Sequence, residues 1–177
     1  MKTSIYIIMT AGVLFLSTGM LRADPNSDLI SAASFGPLFK VEAAHKAGAD
    51  INFRAQPYSV TALMLASSSE GTEDVVRYLI DKGADLNAQC DSGWTALMRA
   101  ADGGHPGHVE ALIKAGAGVN LKTKKGYTAL GMAEARLKNF PRGDARWDEK
   151  KGRYAKIVNL LKKAGGKKGK RYPLKKV

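Results

Sequence analysis

Between Asp91 and Asn120 the chain reads DSGWTALMRAADGGHPGHVEALIKAGAGVN, with apolar positions gathered at Ala96, Leu97 and Met98 and again at Val109, Leu112 and Ile113. The second group has the spacing of one helical face. The first follows Gly93-Trp94-Thr95, a turn glycine leading into a helix N-cap. Gly116 ends the second helix where a left-handed backbone is easiest. This unit of turn, short helix and short helix recurs. Thr61-Ala62-Leu63-Met64 precedes Thr95-Ala96-Leu97-Met98 by 34 residues, and Thr128-Ala129-Leu130-Gly131 follows 33 later. A degenerate copy, Ser27-Asp28-Leu29-Ile30, lies 34 residues before Thr61, and Gly48-Ala49-Asp50-Ile51-Asn52 repeats as Gly83-Ala84-Asp85-Leu86-Asn87. The pattern predicts four repeats, starting near Ser27, Thr61, Thr95 and Thr128.

Within them, Leu29, Ile30, Ala32 and Ala33 mark the first helix, and Leu38, Phe39, Ala43 and Ala44 the second. Val75, Val76, Leu79 and Ile80 mark the second helix of the next repeat. Glu73 and Asp74 in the first turn of that helix, and Lys82 in its last, complement the helix dipole and read as structural.

A period near 33 with a turn and two helices resembles the ankyrin repeat, and the likeness covers about residues 27–166. The resemblance implies an all-α ankyrin-repeat solenoid with short β-turn fingers. One such repeat cannot cover its own apolar face, so about three or more must stack. The chain departs from the family pattern at two places. The usual Pro is Ala62, Ala96 and Ala129, which helix propensity tolerates, and the usual His is Met64, Met98 and Gly131. The latter change implies a stack held more by apolar burial than by that histidine's hydrogen bonds.

The last repeat is interrupted. Gly116 and Gly165 are 49 residues apart where 33 to 35 is normal, placing about 15 extra residues near 139–152. Insertions in a solenoid map to loops on one face, often the binding face. Pro141, Gly143 and Gly152 mark this loop. Trp147 within it either folds back on the stack or anchors a partner.

Composition, 45% hydrophobic and 25% charged over 177 residues, bounds the chain to one globular domain with extensions. Residues 1–23 differ: Lys2, then an apolar run from Ile5 to Leu16, then Leu21-Arg22-Ala23, the order of a secretory signal peptide. The run is short for a span of about 20 residues, although a membrane anchor is the alternative, and Ser17-Thr18-Gly19 is a rival cleavage site. The expectation is a periplasmic protein, or alternatively a secreted one, with the repeat domain at 24–166. Cys90 is the only cysteine, so no internal disulfide forms. Its position at a turn before Gly93 predicts an exposed thiol.

Charge is divided. Residues 24–147 carry 14 basic and 14 acidic side chains, whereas 148–177 carry 12 basic and 2 acidic. Ile157, Val158, Leu160 and Leu161 still form a capping helix, but Gly165-Gly166-Lys167-Lys168-Gly169-Lys170-Arg171 lacks an apolar period, so 167–177 is expected to be a flexible basic tail. Export removes nucleic acid as its target and leaves an anionic envelope surface, or a purely solubilising role.

Candidate chemistry is sparse. His105 and His108 stand i, i+3, but Gly107-His108-Val109-Glu110 occupies the family's structural G-H-x-E position, so no metal is expected. No nucleophile–base order, phosphate loop or dinucleotide fingerprint is present. The chain is therefore expected to be no enzyme, to need no cofactor, and to be a monomer before it meets a partner. The resemblance places partner contacts on the turns at Tyr58, Val60, Asp91, Ser92, Trp94, Lys124, Lys125 and Tyr127, and on the first helices at Ser68, Ser69, Asp102 and Arg136. Val60, Trp94 and Tyr127 share one repeat position and should line up. Exported bacterial ankyrin proteins resemble inhibitors or self-protection factors acting on a periplasmic enzyme, such as a peptidoglycan hydrolase, or on a toxin. An accessory factor supporting a periplasmic antioxidant enzyme, and a secreted effector binding a host protein, are the alternatives.

Overall fold

A computed structural model of the full chain describes residues 24–138 and 147–173, the Trp147 side chain excepted. The leader at 1–23, the first part of the insertion at 139–146 and the end of the tail at 174–177 lie outside the described residues. Eight helices are present among the described residues: α1 Pro25–Phe35, α2 Leu38–Lys46, α3 Ala62–Ser68, α4 Glu73–Asp81, α5 Ala96–Gly103, α6 Pro106–Lys114, α7 Ala129–Lys138 and α8 Trp147–Lys163. None is long and apolar enough to cross a membrane.

The short inner helices start where threonine turns its side chain onto the backbone. Thr61 Oγ1 accepts from Met64 N at 3.4 Å, Thr95 Oγ1 from Met98 N at 3.3 Å, and Thr128 Oγ1 from Gly131 N at 3.2 Å. Each cap is worth about 1 kcal/mol. After the outer helix the backbone turns left-handed at a glycine, as at Gly116 with φ of +95°, a conformation that costs a residue with a Cβ.

Pairs α1/α2, α3/α4, α5/α6 and α7/α8 form hairpins that stack in chain order. The inner helices α1, α3, α5 and α7 pack on one another more extensively than do the outer helices α2, α4, α6 and α8. Small side chains allow this approach: Ala62, Ala66, Ala96, Ala100, Ala101, Ala129 and Ala133 are all buried. A stack tighter on its inner row curves, and the inner side is concave. The core repeats in register. Leu29, Leu63, Leu97 and Leu130 bury at one inner position, and Leu79, Leu112 and Leu161 at one outer position. Burying each leucine stabilises by about 1.5–3 kcal/mol.

Asparagines tie successive loops together. The side-chain oxygens of Asn26, Asn52, Asn87 and Asn120 accept from the backbone N–H of Asp50, Asp85, Gly118 and Lys167, at 2.7–2.8 Å. The last rung sets the chain after α8 into the same path as the earlier loops.

Four expectations are corrected. The first helix starts at Pro25, ahead of Ser27, because Asp24 caps it by accepting from Asn26 N at 3.2 Å. In α2, Phe39 and Ala43 are exposed and Val41 and Ala44 carry the burial, since among the described residues α2 packs on α1 and α4 and its other side is open. Residues 147–152, expected as loop, are the first turns of α8; Asp148 and Glu149 in that first turn favour the helix N-terminus. Finally, residues 167–173 do not trail away but are fastened to the fourth repeat.

Candidate functional site

Three fingers project from the loops before α3, α5 and α7. Each closes on a pair across its base: Ala55 with Val60, Cys90 N–H to the Trp94 carbonyl at 3.0 Å, and Thr123 N–H to the Tyr127 carbonyl at 2.9 Å. The tips of the second and third turn through Gly93 and Gly126, at φ of +81° and +83°. A Cβ on Gly93 would also stand 2.7 Å from the Lys124 nitrogen, so only glycine lets neighbouring fingers touch. They do touch. Asp91 N donates to the Tyr58 carbonyl at 3.1 Å, and Lys124 N donates to the Ser92 carbonyl at 3.1 Å. The fingers therefore form a hydrogen-bonded row along the rim of the concave face.

The predicted contact residues fall into three groups on this frame. Tyr58, Asp91, Ser92, Lys124 and Lys125 stand exposed at the finger tips. Val60, Trp94 and Tyr127 close successive fingers, half-buried, each packed against the core below. Asp102 and Arg136, at the ends of α5 and α7, meet each other: Arg136 Nε and Nη2 donate to the two Asp102 carboxylate oxygens, both at 2.9 Å. That pairing raises the Arg136 pKa and joins two repeats across the groove. Ser68 and Ser69, at the end of α3, turn their hydroxyls back onto the Leu65 carbonyl. Trp147 is the first residue of α8, with its side chain outside the described residues.

Sequence reasoning missed the residue that joins the groups. Tyr172 lies edge-on to Trp94, with ring centroids 6.2 Å apart, and edge-on to Tyr127, at 5.2 Å. Its hydroxyl also interacts with Asp102 and Arg136; burial first, then the Asp102 charge, raises its pKa. Arg99 stacks its guanidinium over Trp94, 5.1 Å from the ring centre. A lone tyrosine inside a basic run was the available signal, and its charge context concealed it.

Cys90 is buried, correcting the expected exposed thiol. It sits at the base of its finger rather than the tip, with Sγ 3.2 Å from Ser92 Oγ. Burial pushes the thiol up, but hydrogen bonds from Ser92 and Trp94 and the Arg99 charge outweigh it, and its net shift is downward. His108 is 1% exposed and meets the Ser67 carbonyl through Nδ1 at 3.3 Å; burial holds it below the usual imidazole range. Its place joins α6 to α3. Among the described residues no three His, Cys, Asp or Glu side chains are grouped to hold a metal ion.

An inner row of short helices, an outer row, and a rim of hydrogen-bonded fingers define a repeat protein built to present one curved face. The family described as "Ankyrin repeats (3 copies)" matches residues 29–123, just over half of the chain. The chain belongs to the ankyrin-repeat family, a fold that binds other proteins. It is 42% identical over 78 residues to the ankyrin repeat and KH domain-containing protein mask-1 of Caenorhabditis elegans, covering 44% of this chain and 3% of that protein. It is 32% identical over 88 residues to M-phase phosphoprotein 8 of Mus musculus, covering 50% and 10%. Against M-phase phosphoprotein 8 of Homo sapiens the identity is 33% over 80 residues, covering 45% and 9%. The chain thus spans no more than a tenth of the length of these relatives.

Proposed function

We propose that this chain is an exported, non-catalytic binding module whose fingers and concave face seat a periplasmic enzyme and inhibit it, as a self-protection or immunity factor against a cell-wall hydrolase or a toxin. The observation that carries the binding face is the row Val60, Trp94 and Tyr127, held at equivalent positions on fingers bonded to one another. Aromatic side chains such as Trp94 and Tyr127 carry few rotatable bonds and lose little entropy on binding, and such anchors dominate interface energies. Inhibition follows from shape: a small curved stack blocks a cleft without performing chemistry. The order of charge, apolar run and small residues in 1–23 supports export.

The test is capture from the producing cell's own envelope extract with wild-type and Trp94→Ala baits, followed by mass spectrometry. A cell-wall enzyme recovered by the wild type and lost with Trp94→Ala is the expected result. Equal recovery by both baits would move the site off the fingers. Recovery of an enzyme whose activity rises on addition of the chain would favour the accessory-factor reading instead.

A further inference from the structure

The groove between α5 and α7 is covered by residues 168–172 of the same chain. After α8 the backbone follows the path of the earlier loops as far as Lys167, whose N–H meets Asn120 as Gly118 meets Asn87. From there its bonds differ in register from those between the earlier fingers. Gly169 N donates to Thr128 Oγ1 at 3.1 Å, and Lys170 N donates to the Gly126 carbonyl at 2.8 Å, continuing the finger row by one more strand-like bond. Tyr172 then lies on the Trp94–Tyr127 pair. Lys168 reaches Glu134 at 3.0 Å.

Two glycines shape this seat. A Cβ on Gly169 would collide with the Gly126 carbonyl and stand 3.0 Å from the Thr128 nitrogen. Gly131 occupies the place held by Met64 and Met98 in the preceding repeats, both 1% exposed. Even a Cβ there would sit 3.8 Å from Gly169 N and Lys170 O, so a methionine would project into the strap. The fourth repeat has given up the side chain of its siblings where the strap crosses.

We propose that residues 167–173 are an intramolecular ligand. The groove over α7 and the third finger is a docking site for an extended peptide segment in which a glycine is followed by two basic residues and then an aromatic one. The chain's own Gly169–Tyr172 stretch occupies this site until a partner segment of like chemistry displaces it. Backbone bonds give such a segment affinity and the aromatic pocket gives it selectivity. The proposal deepens the binding reading above and rests on it only for what the displacing partner is.

The test needs no partner. In a Trp147→Phe background Trp94 is the sole tryptophan, and its emission reports whether an aromatic ring covers it. The probe is a synthetic peptide of residues 166–177, added to the full chain and to its Gly169→Ala and Gly131→Met variants. Because Gly131→Met also narrows the groove, Gly169→Ala is the variant expected to bind in trans. Both variants should show red-shifted Trp94 emission, and the peptide should reverse the shift of Gly169→Ala saturably. Wild type should bind at least about 10-fold more weakly, because its tethered strap competes at a high effective concentration. A peptide carrying Tyr172→Ala should not bind. Equal peptide affinity for wild type and Gly169→Ala would overturn the proposal. So would absence of binding to a Gly169→Ala chain that keeps its helical signal, or equal binding by the Tyr172→Ala peptide. If both variants lose the helical signal, the strap is a structural cap and the proposal fails.

Discussion

The Asp102–Arg136 pair decides whether the concave face presents two charged groups to a partner or keeps them for itself. The two guanidinium bonds are 2.9 Å each, and the side chains are 19% and 39% exposed. At an effective dielectric of about 20, unit charges about 4 Å apart attract by about 4 kcal/mol before any cost of desolvation. Arg136 is more than a third exposed, so most of that attraction is screened; exposed pairs return about 0.2–1 kcal/mol and bidentate geometry sits at or above the top of that range. We expect a coupling of about 1–1.5 kcal/mol between Asp102→Ala and Arg136→Ala. The assay is urea unfolding of wild type, both single variants and the double variant, followed by far-ultraviolet circular dichroism. Arg136→Ala alone should lower the melting temperature by about 2–6 °C, taking about 2–4 °C per kcal/mol for a chain of this size. The coupling should shrink as salt is raised toward 1 M. A coupling below about 0.3 kcal/mol would show that the pair does not bind α5 to α7, and would return both residues to the list of free partner contacts.

Other perturbations follow from the same frame. Thr95→Ala removes the α5 cap at a site 1% exposed, and should cost about 1 kcal/mol in urea unfolding; Thr95→Ser should restore most of it. His108 has a folded pKa below its unfolded value of about 6.5, so the unfolded chain takes up its proton first and stability should fall as the pH drops below about 6.5. His108→Gln should flatten that slope in thermal melts between pH 7 and 5, and an unchanged slope would exclude His108 as its source. Cys90 should react with a thiol reagent far more slowly in the folded chain than in urea, because it is 5% exposed; equal rates would contradict its placement.

Much of the repeat architecture was legible because each repeat uses the same local chemistry. Threonine before Ala-Leu marks a capped helix, Val-x-x-Leu marks a buried face, and glycine marks the exit; the period of 33 or 34 then multiplies the signal. The Asn-to-loop bonds were visible only as a recurring Gly-Ala-Asp-x-Asn string, whose meaning lies in contact with the next repeat. Where one-dimensional cues compete with three-dimensional ones the reading failed. Lys167 to Arg171 has the composition of a solvated tail, yet Gly169 within it and Tyr172 just after it match a seat made by Gly126, Gly131 and Trp94, residues some 40 to 80 positions away. Cys90 looked like a turn residue because sequence does not separate the base of a finger from its tip. The contact residues were legible as positions, whereas the pairing of Asp102 with Arg136 depends on two helix ends meeting.

The proposed inhibition of a cell-wall enzyme by the finger face is open to direct assay. The most direct measurement is the rate at which the producing cell's purified peptidoglycan hydrolase clears a cell-wall suspension, titrated with the full chain and with Trp94→Ala at matched helical signal. Activity should fall to a floor at one chain per enzyme, and Trp94→Ala should shift the titration to higher concentration. Undiminished clearance at excess wild-type chain would contradict it.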